Sequence, residues 1–130
     1  MNLLLDTHVL LWWLEGNRRI GPKTAVRLRH PDTQVWISSV SIWEISIKMA
    51  IGRLSLRPKA ERDLPALLET ATHPLPISHH HAFALRSLPP HHADPFDRML
   101  VVQAQCEDLV LATADSAIAA YDVRTLDVTL

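Results

Sequence analysis

Cysteine is nearly missing from this 130-residue chain: Cys106 stands alone, which excludes an internal disulfide framework. It lies in an apolar helical pattern, so it reads as a packing residue in a reducing interior. No apolar run reaches the roughly 20 residues of a membrane-spanning helix. The opening MNLLLDTHVLLWWLEG is apolar, but it lacks a basic leading region and is interrupted by Asp6 and His8. A secretory signal is therefore not expected, and a cytoplasmic location is. Charge of one sign is also scarce, and a formal net charge of -1 excludes a polycation that holds nucleic acid by bulk electrostatics. Although there are 8 histidines, no H-E-x-x-H pattern or pair four residues apart occurs, so zinc is not expected. Linkers and repeats are absent too. Pro89-Pro90 marks a loop inside one domain spanning 1–130, because too little chain follows it to build a second core.

What is present is a strong apolar content, 48% of residues, enough for one real core. Leu3 to Leu5 form a short buried strand, and His8 to Glu15 continue as a helix ended by Gly16 and Asn17. A second helix begins at Pro22. Gln34 to Ser38 read as a strand, Ser41 to Ile51 as a helix closed by Gly52, and Leu64 to Ala71 as a further helical stretch. Leu75 to Ile77 suggest a third strand, followed by the helix-like HAFALRSL. After the loop LPPHHAD come a helix from Pro95 to about Cys106, a strand over Leu109 to Thr113, a short helix from Ser116, and a last strand within Val123 to Val128. Alternating strands and helices predict an α/β fold with a parallel sheet and right-handed crossovers.

Four carboxylates fall where strands end or helices begin: Asp6, Glu44, Asp97 and Asp115. In an open parallel sheet, ligands bind beyond the carboxyl ends of the strands, so acids far apart in sequence are placed to meet there. Two ionised carboxylates about 5 Å apart repel by roughly 3 kcal/mol at an effective dielectric near 20. A shared cation or a proton relieves that. An all-oxygen set without thiolate suits Mg²⁺ or Mn²⁺ better than zinc. Each acid also has an ordinary structural explanation. Ser41–Glu44 and Asp94–Asp97 resemble capping boxes, Asp115 is placed as a helix cap, and Glu44 with Lys48 makes an i,i+4 pair.

Two basic stretches, Arg18 to Arg29 and Arg53 to Arg62, read first as solvated faces and become phosphate guides only beside an acidic pocket. Arg98 reads as a salt-bridge partner of one of the acids, its fork also suiting phosphate. His8 is near enough to Asp6 to touch a ligand, though packing explains it as well. Trp36 and Trp43 are expected to fill the core. Trp12 and Trp13 cannot both face inward, which leaves one for a subunit interface.

Four strings in order, LLLDTHVLLWWL, SSVSIWEISIKMAIGRL, HHADPFDRMLVVQA and LVLATADSAIAAYDV, resemble the PIN-domain ribonucleases, and among them the VapC-type toxins of toxin–antitoxin pairs. The likeness runs nearly end to end. It implies a three-layer α/β/α fold and a Mg²⁺- or Mn²⁺-dependent endoribonuclease leaving 5′-phosphate and 3′-hydroxyl ends. It also implies a homodimer held inactive by a cognate VapB-like antitoxin. By the same resemblance Asp6, Glu44, Asp97 and Asp115 are the catalytic, metal-binding acids, with Thr7 and Thr113 as supporting polar groups. Asp97 takes the metal role ahead of Asp94, which is the better helix cap with Pro95 behind it. Two other readings stand beside this one. A receiver-like signalling domain lacks its acidic pair after the first strand and its lysine after a late strand. A catalytically silent PIN-like domain that only binds RNA or protein keeps the same fold without turnover.

Overall fold

The computed structural model describes all 130 residues, Met1–Leu130. Five strands make one parallel sheet: β1 (Asn2–Leu5), β2 (Gln34–Ser38), β3 (His73–Leu75), β4 (Val110–Thr113) and β5 (Thr125–Asp127), in the order β3-β2-β1-β4-β5. Six helices accompany them: α1 (Thr7–Glu15), α2 (Pro22–Arg29), α3 (Ser39–Ala50), α4 (Pro58–Ala71), α5 (His79–Ala84) and α6 (Pro95–Glu107). The expected α/β/α architecture is the one observed.

The period of two in the strands builds the layers. Leu3, Leu5, Val35, Ile37 and Ala112 join Val9, Leu10, Leu28 and Ile45 in one core. Leu4, Leu75 and Leu111 turn the other way and pack with Met99, Leu100, Val101 and Val102 of α6. Because both faces are covered, β1 reads as an unbroken apolar run, and Leu3, Leu4 and Leu5 are fully buried. Each such burial stabilises the fold by about 1.5–3 kcal/mol. Cys106 is half-buried against the second core, which fits its expected packing role.

Several boundaries differ from the expectation. Helix α3 starts at Ser39, capped by the Ser38 hydroxyl accepting from the Val40 amide, so Ser41 lies inside the helix and no capping box runs from Ser41 to Glu44. Helix α4 begins at Pro58, six residues ahead of Leu64, and continues through Pro65 because Ala60 is buried in the core and Pro58 already supplies the helical start. Strand β3 lies at His73–Leu75, where Pro74 is tolerated because β3 is an edge strand. The stretch HAFALRSL divides into α5 and a 3₁₀ turn at Leu85–Ser87, and the segment after Asp115 is also 3₁₀, at Ser116–Ala120.

The strand order creates the functional crevice. From β1 the chain steps outward to β2 and β3, then returns through α5 and α6 to place β4 on the opposite side of β1. The carboxyl ends of β1 and β4 thus flank the point where the winding reverses, which is where such sheets bind ligands.

Candidate metal centre

Asp6 immediately follows β1 and is almost fully buried. Its Oδ1 accepts from the Thr7 amide at 2.8 Å, and its Oδ2 accepts from the Thr113 hydroxyl at 2.7 Å. His8 Nδ1 lies 3.3 Å from the same Oδ2, while His8 Nε2 accepts from the Ala114 amide at 3.1 Å. With Nε2 accepting, the other ring nitrogen, Nδ1, is the one turned toward the Asp6 carboxylate. Thr7 in turn donates to the Ser41 hydroxyl at 2.9 Å, tying the start of α1 to α3. Both threonines therefore hold Asp6, Thr113 through its hydroxyl and Thr7 through its amide, and the Thr7 hydroxyl links that turn to Ser41.

Helix α3 presents Glu44 toward the same crevice. Its Oε2 accepts from Lys48 one turn on, and that bond raises the lysine pKa above its ordinary value. Its Oε1 is buried and has no hydrogen-bond partner. A buried charged oxygen left unpaired costs more than the roughly 1–3 kcal/mol of a neutral polar group.

Asp94 and Asp97 arrive together at the start of α6. Asp94 caps it, its Oδ1 accepting from the amides of Phe96 and Asp97 at 2.8 and 3.2 Å. Asp97 stands in the first helical turn, where burial first, and then the charges of Asp6 and Asp94, push its carboxyl up to about 7. Asp6, Glu44, Asp94 and Asp97 line one cavity of about 310 Å³, with Thr7, His8, Lys48 and Arg53 among its other walls.

Asp115 stands slightly apart, outside that lining. Its Oδ1 caps the 3₁₀ turn by accepting from the Ala117 amide at 2.9 Å, and its own amide donates to the Thr113 hydroxyl at 3.0 Å. Burial raises its pKa, but the Ala117 amide and His92 outweigh that and hold it below the usual carboxylate range. It reaches the cavity acids through His92, whose Nε2 is 3.0 Å from Asp115 Oδ2 and 3.3 Å from Asp97 Oδ2. His92 Nδ1 accepts from the Asp94 amide at 3.0 Å, so the ring proton faces the two acids. The bond to Asp115 raises the His92 pKa.

The pair His91-His92 invites a zinc or general-base reading in the sequence, which the lack of a ligand spacing sets aside. The contacts of His92 with Asp97 and Asp115 were not foreseen, because it sits in a loop with no helical or strand period to aim it. The run His79–His81 is different: His81 closes a capping box with Ser78 and bonds Glu107 at 2.8 Å.

Three expectations need correction. Arg98 contacts none of the acids; its guanidinium donates to the carbonyls of Leu88, Pro89 and His92 and to the Tyr121 hydroxyl. The N-terminal turn of α6 points it outward, away from Asp97, and there it pins the loop carrying His92. Trp43 does not fill the core: it is 57% exposed and stands edge-on to Phe96 at 5.3 Å. Trp12 and Trp13 are both half-buried rather than split between inside and outside.

These donors fit a divalent cation. Oxygens from separate elements converge, one is buried without a partner, and one carboxyl is pushed toward protonation by burial and then by its neighbours' charge. A hard cation satisfies the first and relieves the second.

No curated protein matches the sequence. Among solved structures the chain resembles VapBC2 from Rickettsia felis bound to a DNA fragment from their promoter, with a TM-score of 0.74 at 14% identity, covering 97% of this chain and 98% of that one. It also resembles VapBC-1 from nontypeable Haemophilus influenzae, at TM-score 0.67 and 21% identity over 100% of both chains. DNA-bound VapBC from Salmonella typhimurium follows a similar course, at 0.66 and 17% over 98% of each. Those likenesses establish the fold. Residues 3–124 match the PIN domain family, and with the parallel sheet and the acids gathered at its switch point they close the argument: the chain belongs to the PIN-domain family.

Proposed function

We propose that this PIN domain, taken as residues 1–130, is a metal-dependent endoribonuclease and the toxin of a toxin–antitoxin pair. Family membership and the fold shared with VapBC complexes support a nuclease of that class. The observation that carries the finer reading is the buried, unpaired Oε1 of Glu44, a residue that lines one cavity together with Asp6 and Asp97. Asp6, Glu44 and Asp97 are the proposed ligands of Mg²⁺ or Mn²⁺, with Asp115 joining from beside His92.

A bound divalent cation supplies an activated water and positive charge for the phosphate oxygens. The chain's own residues arrange the rest. Thr7, Thr113 and His8 fix Asp6 so that its carboxylate needs no reorganisation. Asp97, whose carboxyl is pushed up to about 7 in the metal-free protein by burial and by the charges of Asp6 and Asp94, is the acid whose ionised form a bound cation would favour most. His92 directs a proton at Asp97 and Asp115 and holds their spacing. In the proposed hydrolysis the water oxygen bonds phosphorus, the bond from phosphorus to the 3′ oxygen breaks, and that oxygen leaves with a proton as a hydroxyl.

The same anionic floor is the proposed docking place of a VapB-like antitoxin, through an arginine lying among the carboxylates. A homodimer belongs to the proposal as well. Its support is an apolar stripe of Trp43 and Ile47 on α3 and Ile51 just past its end, spaced i, i+4 and i+8, with Trp43 and Ile51 exposed. No helix is long and apolar enough to cross a membrane, so no membrane partner is proposed.

The test is incubation of total RNA with purified protein in Mg²⁺, Mn²⁺ or EDTA, alongside Asp97→Asn. Cleavage that needs metal and vanishes in the variant is expected. RNA left intact under every condition, with antitoxin shown to be absent, favours the silent binding domain instead.

A further inference from the structure

Helix α3 ends in a turn that brings an unpaired cation back over the acids. Its last residue is Ala50; Gly52 then adopts φ +73, a conformation glycine enters without strain, and the amides of Arg53 and Leu54 both donate to the Lys48 carbonyl, at 2.8 and 3.1 Å. The chain is thereby folded back along the helix it has just left. Arg53 and Leu54 come to line the same cavity as Asp6, Glu44, Asp94 and Asp97.

The two cations of that cavity are not equivalent. Lys48 is committed to Glu44. Arg53 is exposed and makes no ion pair or side-chain hydrogen bond, although four carboxylates share its cavity. Its fork of five donors is held at the rim by backbone bonds and has no partner within the protein. An arginine so placed suits an anion that enters with the substrate, and planar bidentate pairing with phosphate is what the guanidinium does best.

We propose that Arg53 forms a subsite for a phosphodiester group neighbouring the one cut at the acids. The inference rests on the ribonuclease reading above and adds to it a direction: the RNA strand leaves the acidic floor along the C-terminal end of α3. Arg53 is a positioning residue in this scheme. It holds the strand and leaves the bond-breaking step to the acids.

The experiment uses the full chain carrying Asp97→Asn, with Mg²⁺ and a fluorescein-labelled single-stranded RNA of mixed sequence, read by anisotropy across a range of salt. Adding Arg53→Ala is expected to weaken binding roughly tenfold at low salt and to flatten the salt dependence by about 0.7 in log–log slope, the mark of one lost phosphate contact on a single strand. Arg53→Lys is expected to restore the slope. Arg57→Ala, outside the cavity, is expected to leave it unchanged. In the otherwise unaltered enzyme, Arg53→Ala is expected to raise KM with a smaller effect on kcat. If the enzyme cuts RNA and Arg53→Ala changes neither slope nor KM, the subsite is wrong while the nuclease stands. If the unaltered chain neither binds nor cuts RNA, the nuclease reading falls and takes the subsite with it.

Discussion

The Thr113 hydroxyl donates to Asp6 Oδ2 at 2.7 Å, joining the end of β4 to the end of β1 across 107 residues of sequence, and the same hydroxyl oxygen accepts from the Asp115 amide. One small side chain therefore sets the spacing of two acids. Thr113→Val keeps the shape and removes both bonds, and should destabilise the metal-free protein by about 1–3 kcal/mol. Mn²⁺ affinity should fall between about 10- and 100-fold, as when outer-shell partners of ligands are lost. Thr113→Ser should retain most of both. Urea denaturation and calorimetric Mn²⁺ titration of the two variants test this.

The crowded acids also give the metal-free protein a pH dependence of definite sign. Asp97 titrates near 7 when folded and near 3.8 in its ordinary state, so its contribution is fully present below about pH 3.8 and is lost as pH rises through about 7. In EDTA the protein should be less stable at pH 8 than at pH 6, by up to about 1 kcal/mol after solvent screening. His92, raised by its bond to Asp115, adds a change of the same sign, lost as pH rises through its own elevated pKa. Asp97→Asn should remove the larger part, and saturating Mg²⁺ should reverse the trend. Denaturant midpoints at the two pH values decide it, and an unchanged midpoint in EDTA would contradict the assignment.

Arg98 braces a loop where a salt bridge was expected. Three carbonyls and the Tyr121 hydroxyl receive its guanidinium, and the His92 amide also donates to that hydroxyl at 2.8 Å. Arg98→Ala should destabilise the fold by about 1.5–3 kcal/mol. It should also speed amide exchange through residues 88–94 while sparing β1 and β4. Exchange followed by mass spectrometry would show whether the loop loosens by itself.

Two glycines separate strain from crowding. A Cβ on Gly21 would stand 2.3 Å from the backbone of Thr129 and Leu130, where backbone must move, whereas a Cβ on Gly16 meets nothing within 4 Å and suffers only its φ of +65. Gly16→Ala is expected to lose roughly 1 kcal/mol. Gly21→Ala should lose more, about 1–3 kcal/mol, and should free the 128–130 segment from α2. Thermal melts rank the two variants.

Much of this was legible in the sequence because periodicity and capping are local. Leu3–Leu5 announces a strand buried on both faces, Asp94-Pro95 announces the start of α6, and the alternation of elements implies a parallel sheet. The limits of α4 were not legible, since Pro65 signals a start that the buried Ala60 overrides. The acids Asp6, Glu44 and Asp97 do share a cavity, as their places at strand and helix ends suggested. The contacts of His92 with the acids were not legible because its aim depends on Arg98 and Tyr121, which hold its loop from α6 and from the segment beyond β4. The direction of Arg98 was misjudged for a related reason: adjacency to Asp97 in sequence places the two about 100° apart around the helix.

The central position of β1 has a consequence for synthesis on the ribosome. Its partner β4 is made more than 100 residues later, so Asp6 remains without the Thr113 hydroxyl until nearly the whole chain has emerged. Long-range parallel pairing of this kind forms slowly and late. A chain that stops before β4 has only one side of the crevice, so Asp6 and Asp115 are tied through Thr113 only once residues through Asp115 have been made.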